Sequence, residues 1–344
     1  MEPGVAVPST PCDLRRLRQE LEKAVGKRMM CDVPFGVLLY GGIDSAVIAA
    51  IVCRLYNERF KKEQNEHFWT PKIHSFAIGL RGSRDLACAR QVAAHVGCTH
   101  HEFTFEAQEA IDALPDLIYM IESYDVPTVR AALLNYFLYR LIKSIGVKMV
   151  ITGEGAADLF GCAADMQAQR DPQLLHRAIV GRLADMHFTD SLRANKASMS
   201  WGVEARVPYL DVNFVAFAMA IDPADKCGAR GRLPKQLLRD AYKDELPHCV
   251  LDRAAVDNQF GVSCEWVAAL QRHAQERVSD FMLANAAILF PYNPPRSKEA
   301  YLYRSLFSDH FPDQSVAKIV PGGHPEPPGP LSPPAAARNG PLDR

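Results

Sequence analysis

The sequence predicts an α/β fold: a parallel sheet with helices on both faces, followed by a C-terminal helical extension. Short apolar runs alternate with helix-length segments of three-and-four periodicity over roughly the first half of the chain. Two of those runs stop at glycine-rich turns, and beyond residue 173 the strand-like runs cease while the helical pattern goes on. Alternation of this kind implies parallel pairing, because parallel neighbours need a long connection and a helix supplies it.

Leu14, Leu17, Leu21 and Val25 fall on one helix face, so residues 1–25 are an expected N-terminal helical segment. Val37-Leu38-Leu39 stops at Gly41-Gly42 and the apolar character resumes over Ala46 to Val52: a buried strand, a glycine turn and a helix that Asp44 or Ser45 could cap. A strand follows near 73–78, a helix near 85–96, a strand near 101–105, helices over about 107–122 and 130–145, and a strand over 147–151. Residues 26–172 are thereby the expected α/β core. Residues 173–319 are its helical continuation, led by Leu174, Leu175, Ile179 and Leu183 and later by Leu237, Leu238 and Tyr242. Residues 320–344 hold eight of the 24 prolines and almost no large apolar groups, the composition of a disordered tail.

With 344 residues, 48% of them apolar, the chain can bury a large core, which excludes disorder of the whole. Thirty-nine Lys and Arg against forty Asp and Glu leave a net charge of −1, so no global basic field exists to hold a nucleic-acid backbone. No apolar stretch reaches the roughly 18–20 residues of a membrane span, and residues 1–25 mix Arg15, Arg16 and Arg18 with Asp13, Glu20 and Glu22 where a signal peptide would be apolar. The nine cysteines are scattered, with neither Cys-x-x-Cys nor zinc spacing, so reduced thiols and a cytoplasmic location are expected.

In open parallel sheets ligands bind beyond the carboxyl ends of the strands. The first turn there is Tyr40-Gly41-Gly42-Ile43-Asp44-Ser45-Ala46, whose backbone amides and helix start could hold an anion such as pyrophosphate, or which could be no more than a capped strand-to-helix turn. The second is Thr152-Gly153-Glu154-Gly155-Ala156-Ala157-Asp158, in which Glu154 and Asp158 could equally be solvated acids at a helix start.

The first turn resembles the PP-loop of the ATP pyrophosphatase superfamily, Ser-Gly-Gly-x-Asp-Ser. The wider sequence is similar to the synthetase domain of glutamine-dependent asparagine synthetases. The blocks that carry this include Asp32 to Leu39, Ser75 to Leu80, Ser123 to Val126 with Arg130, Gly153-Glu154-Gly155, Arg193 to Lys196, Trp201 to Pro208, Phe290 to Asn293 and Ser297 to Arg304. The resemblance implies an adenine-nucleotide-binding PP-loop core that uses ATP and Mg²⁺ to adenylate the side chain of aspartate, which ammonia then attacks. Adenine would lie near Leu39 and Ile78, with the ribose and phosphates near Gly153, Gly41, Gly42, Asp44 and Ser45. Asp44 and Asp158 would hold magnesium, Glu154 would serve the ammonia step, and Arg130, Glu204 and Arg206 would surround the amino acid. Arg130 and the Glu204/Arg206 pair could instead be structural ion pairs. The family's amino-terminal glutaminase is expected to be absent, so ammonia would come free or from a separate protein partner.

The departures fall on charged parts of the pattern. Tyr40 replaces the leading serine of the loop and would crowd the phosphates, and Ala46 replaces its last serine. Ala157 stands at an aspartate position, with Asp158 where a longer glutamate is usual, and gap-free alignment puts Ala255 on the family's catalytic lysine. Two expectations follow: a pseudoenzyme kept for binding or assembly, or an ammonia-dependent ligase in which Lys235, Arg253 or Lys298 supplies the missing charge. Transfer-RNA thiolation within the same superfamily fits less well, given the near-neutral charge and the long synthetase blocks.

Overall fold

Five parallel strands build one sheet in the computed structural model, which describes residues 7–63, 72–79, 81–162, 166, 169–227, 233–253 and 264–320. They are β1 (Phe35–Leu38), β2 (His74–Gly79), β3 (Thr99–Thr104), β4 (Met149–Ile151) and β5 (Glu204–Arg206), in the spatial order β3-β2-β1-β4-β5. Leu38 lies opposite Phe76, Val37 opposite Ile151, and Ile151 opposite Arg206. The chain walks outward from β1 to β2 and β3, then crosses back to place β4 on the other side of β1. That reversal opens a crevice at the carboxyl ends of β1 and β4, where crossovers leave in opposite directions.

Alternation along each strand loads both faces. Val37 and Leu39 enter one core with the helices Leu14–Arg28, Ile43–Glu63 and Arg84–Val96, while Leu38, Phe76 and Ile78 enter the other with Val126–Ser144 and Lys298–His310. Each fully buried Val, Leu, Ile or Phe adds about 1.5–3 kcal/mol of transfer free energy, so two separate cores clamp the sheet from both sides. Local signals set the helix ends. Asp13 accepts from the amides of Arg15 and Arg16, Asp125 caps Val126–Ser144 through Thr128, and Gly97 ends Arg84–Val96 at φ 80°.

The structure corrects the sequence reading in two places. The segment expected as one helix over 107–122 is two, Ala107–Asp112 and Leu114–Ile121, because Pro115 has no N–H to continue the first. Strands also do not stop at residue 173: β5 comes from within the expected helical continuation, and its sequence Glu204-Ala205-Arg206 carries no apolar run. Residues 1–6 and 321–344, which include nearly all of the expected tail, lie outside the described residues. Among the described residues no helix is long and apolar enough to cross a membrane.

One buried charge stands apart from these cores. Lys226, in the short helix Pro223–Lys226, is 8% exposed, and its Nζ has no hydrogen-bond partner among the described residues. Burial pushes its pKa down to about 8. The folded state therefore binds this proton more weakly than the unfolded chain, and stability rises with pH between about 8 and 10.5. Lys226→Met should raise the unfolding free energy at neutral pH by about 2–3 kcal/mol and flatten that rise, measured by urea titration on either side of the window.

Candidate active site

The crevice between β1 and β4 is closed at its floor by the two glycine turns, which touch backbone to backbone. A Cβ on Gly153 would lie 2.8 Å from the Ser45 amide nitrogen and 2.9 Å from the Asp44 carbonyl carbon, so only glycine lets the second turn press against the first. Gly41 takes φ +77°, and a Cβ there would strike the Asp85 carbonyl on the neighbouring helix. Ser45 braces the loop from inside: its hydroxyl accepts from the Tyr40 amide at 3.2 Å and donates to the Gly42 carbonyl at 3.2 Å. Gly42 is different. Among the described residues a Cβ there would meet nothing within 4 Å, so their packing gives no reason for glycine at this position, and the loop backbone there is exposed.

Three carboxylates surround these turns. Asp44 is paired with Lys235 through Oδ2, while its buried Oδ1 has no hydrogen-bond partner among the described residues. Lys235 is itself held at φ 59° at the start of the helix Gln236–Ala241. Asp158 is buried; burial and then the charge of Asp190 push its carboxyl up, and Arg182, 3.1 Å away, opposes them. Lys235 also lowers it, which places that ammonium within electrostatic reach of both acids. Glu154 faces the guanidinium of Arg193 at 3.5 Å, and burial pushes its carboxyl up against the pull of that arginine. Arg193, 2% exposed, also lies 3.5 Å from Asp190. Glu154, Gly155, Asp190, Ser191, Asn195 and Val207 are among the residues lining a cavity of about 110 Å³, large enough for a few heavy atoms.

Tyr40, at the head of the loop, is tied to a neighbouring helix. Its hydroxyl donates to Asn135 Oδ1 at 3.1 Å, on the helix Val126–Ser144, and its ring packs against the second core. Burial, and the nearby Glu154, push the phenol well above its ordinary value, so it stays neutral.

Gly41, Gly42, Asp44, Ser45, Gly153, Glu154 and Asp158 are thus brought together in the crevice. Arg206 is not. Ala205 and Val207 face the cavity, so strand alternation turns Arg206 away; it binds Glu204 at 2.8 Å and the carbonyls of Arg28 and Met30 at 2.8 and 2.7 Å. Arg130 forms an ion pair with buried Glu299, Nε to Oε1 at 2.8 Å, and Tyr303 donates to the same oxygen at 2.9 Å. For both arginines the structural alternative describes what is seen. Leu39 and Ile78 belong to opposite cores, at the ends of adjacent strands. Among the stand-in cations, Lys235 reaches the loop, Arg253 donates to the Gly41 carbonyl at 3.4 Å and pairs with Asp85, and Lys298 is spent on Asp280 at 2.8 Å. Ala255 and the residues around it lie outside the described residues. The sequence reading missed the roles of Arg193, Asn135, Asp190 and Arg182; the signal within reach was Asp190 and Arg193 at i,i+3 in one short helix.

A model of the asparagine synthase family matches residues 16–173 and 163–320. The chain belongs to the asparagine synthase family. It is 45% identical over 318 residues to the glutamine-hydrolysing asparagine synthetase B of Escherichia coli (strain K12), covering 92% of this chain and 57% of that protein. It is 45% identical over 324 residues to glutamine-hydrolysing asparagine synthetase 2 of Oryza sativa subsp. japonica, covering 92% and 54%. The chain therefore spans little more than half the length of these family members. Among solved structures, an NMN synthetase from Francisella tularensis aligns over 90% of this chain and 97% of its own at 13% identity, with a TM-score of 0.39.

Within the family fold the two glycines should separate experimentally. Gly153→Ala forces backbone against backbone and is expected to cost about 1–3 kcal/mol, whereas Gly42→Ala should leave unfolding within about 0.5 kcal/mol of the parent. Equilibrium urea unfolding of both variants checks the contrast.

Proposed function

We propose that this chain is an ATP-binding amide-ligase domain of the asparagine synthetase type, adenylating the side-chain carboxylate of aspartate for attack by ammonia, with turnover well below that of its full-length relatives. The open backbone at Gly42, next to a helix start and to Lys235, supports a triphosphate in the first turn. Such a site must bring a triphosphate and two carboxylates together, so it needs several positive groups that are free to meet them.

One observation carries the impaired reading: both acids expected to hold magnesium are already paired with cations of the protein, Asp44 with Lys235 and Asp158 with Arg182. The unpartnered Asp44 Oδ1 fits a divalent ion, but among the described residues no three acidic, histidine or cysteine side chains converge as a metal cluster. Magnesium, when bound there, would screen the phosphate charge. Lys235 would have to leave Asp44 to reach a phosphate, at the cost of a close ion pair. Glu154, its carboxyl moved up by burial, is suited to take the proton that ammonia sheds as it attacks, and Arg193 fixes its position. Arg206 and Arg130 have no direct part in this scheme.

A second reading, full ammonia-dependent turnover, draws on the same lysine: Lys235 stands at the loop and could supply the charge missing at Ala255. One set of measurements decides between them. Calorimetry should find magnesium-dependent ATP binding that weakens at least about tenfold in Gly42→Ala and in Asp44→Asn, a loss of about 1.4 kcal/mol. Release of AMP and pyrophosphate with aspartate and ammonia should run at least about 100-fold below the Escherichia coli relative assayed beside it, the order of rate that one lost charge-stabilising donor removes. Joint replacement Tyr40→Ser, Ala157→Asp and Ala255→Lys should raise it. No ATP binding overturns the nucleotide site; turnover equal to the relative overturns the impairment and establishes the second reading.

A further inference from the structure

Among the described residues two thiol pairs are in contact, and one of them borders the loop site. Cys88 Sγ lies 3.4 Å from Cys249 Sγ and also 3.4 Å from the Cys249 carbonyl oxygen, to which its S–H donates. Cys88 belongs to the helix Arg84–Val96 and Cys249 to the short helix His248–Leu251, 161 positions later. The first of these helices supports the glycine loop, since a Cβ on Gly41 would meet its Asp85 carbonyl and would come within 3.1 Å of the Ala89 amide. The segment after the second delivers Arg253 to Asp85 and to the Gly41 carbonyl. Arg253 is also a charge neighbour of Cys88, and its positive field favours a thiolate there against the upward push of burial.

We propose that Cys88 and Cys249 are a reversible redox modification site, whose disulfide clamps residues 249–253 onto the helix that flanks the first glycine turn. The oxidant is a peroxide. Cys249, half-buried where Cys88 is buried, is the more accessible attacking group. Its thiolate attacks one peroxide oxygen, forming an S–O bond as the O–O bond breaks, and the leaving hydroxide departs as water after taking a proton. Cys88 then attacks the sulfenic sulfur, forming the S–S bond as the S–O bond breaks, and its proton leaves with the second water. Two thiols are oxidised and one peroxide is reduced to two waters. Since the thiols already touch, closure requires an approach of about 1.4 Å to the ordinary S–S length, within reach of side-chain rotation.

The other pair, Cys53 and Cys98 with Sγ atoms 3.1 Å apart, joins the helix Ile43–Glu63 to the residue after Gly97. It serves as the internal comparison. The full chain, treated with hydrogen peroxide and digested without reduction, should yield a Cys88–Cys249 linked peptide that dithiothreitol removes. That peptide should be absent from both Cys249→Ser and Cys88→Ser, of which the first changes the more accessible side chain. Hydrogen exchange of the 249–253 amides should slow about tenfold in the oxidised protein. A peptide map that shows the Cys53–Cys98 link alone, or no link, overturns the site. A Cys88–Cys249 link with unchanged exchange over 249–253 overturns the clamp. Neither readout depends on ATP, so failure here is distinct from failure of the nucleotide assignment.

Discussion

The site depends on a contact between two pieces of main chain. Gly153 rests against the Asp44–Ser45 peptide because it has no side chain, and this contact brings the end of β4 to the end of β1. Three acids of the crevice sit on the segments that it joins. Glu154 follows Gly153 directly, Asp158 is one helical turn further on, and Asp44 is part of the peptide that Gly153 touches. The sheet order makes the contact possible, since only β1 and β4 are neighbours whose crossovers leave in opposite directions.

Around that contact the protein balances its own charges at close range. Asp44 has Lys235, Asp158 has Arg182, Glu154 has Arg193, and Asp190 stands between the two arginines. Half-buried pairs of this kind hold their partners, because separating them leaves a charge with less compensation than water would give it. A ligand rich in negative charge must compete with acids already in place. The same balance offsets the mutual repulsion of four carboxylates in a small volume.

Much of this was legible in the sequence, and the exceptions have physical causes. β1, β2 and β4 declared themselves as short apolar runs because both of their faces are buried, and the glycine turns declared themselves by composition. β5 did not, since a three-residue edge strand reading Glu204-Ala205-Arg206 needs no apolar pattern to pair with β4. Arg206 followed from resemblance alone; it lies between two residues that line the cavity and is bonded to Glu204 and to the carbonyls of Arg28 and Met30. Lys235 and Asp44 are 191 positions apart and Arg193 and Glu154 are 39 apart, so no local periodicity could have joined them. The substitution at Tyr40 was visible, but not its partner, since Asn135 lies 95 positions away on the helix Val126–Ser144.

The outer strands of the sheet have a consequence for how the protein keeps to itself. At one margin β5 is only three residues long and displays the Glu204–Arg206 pair; at the other β3 carries His100 and Glu102, the latter bound to Arg90 at 2.8 Å. Unpaired strand margins invite a second chain to add on, and short length and outward charge are the usual deterrents. The margin that hid β5 from sequence reading is therefore what discourages one molecule from templating the misassembly of the next.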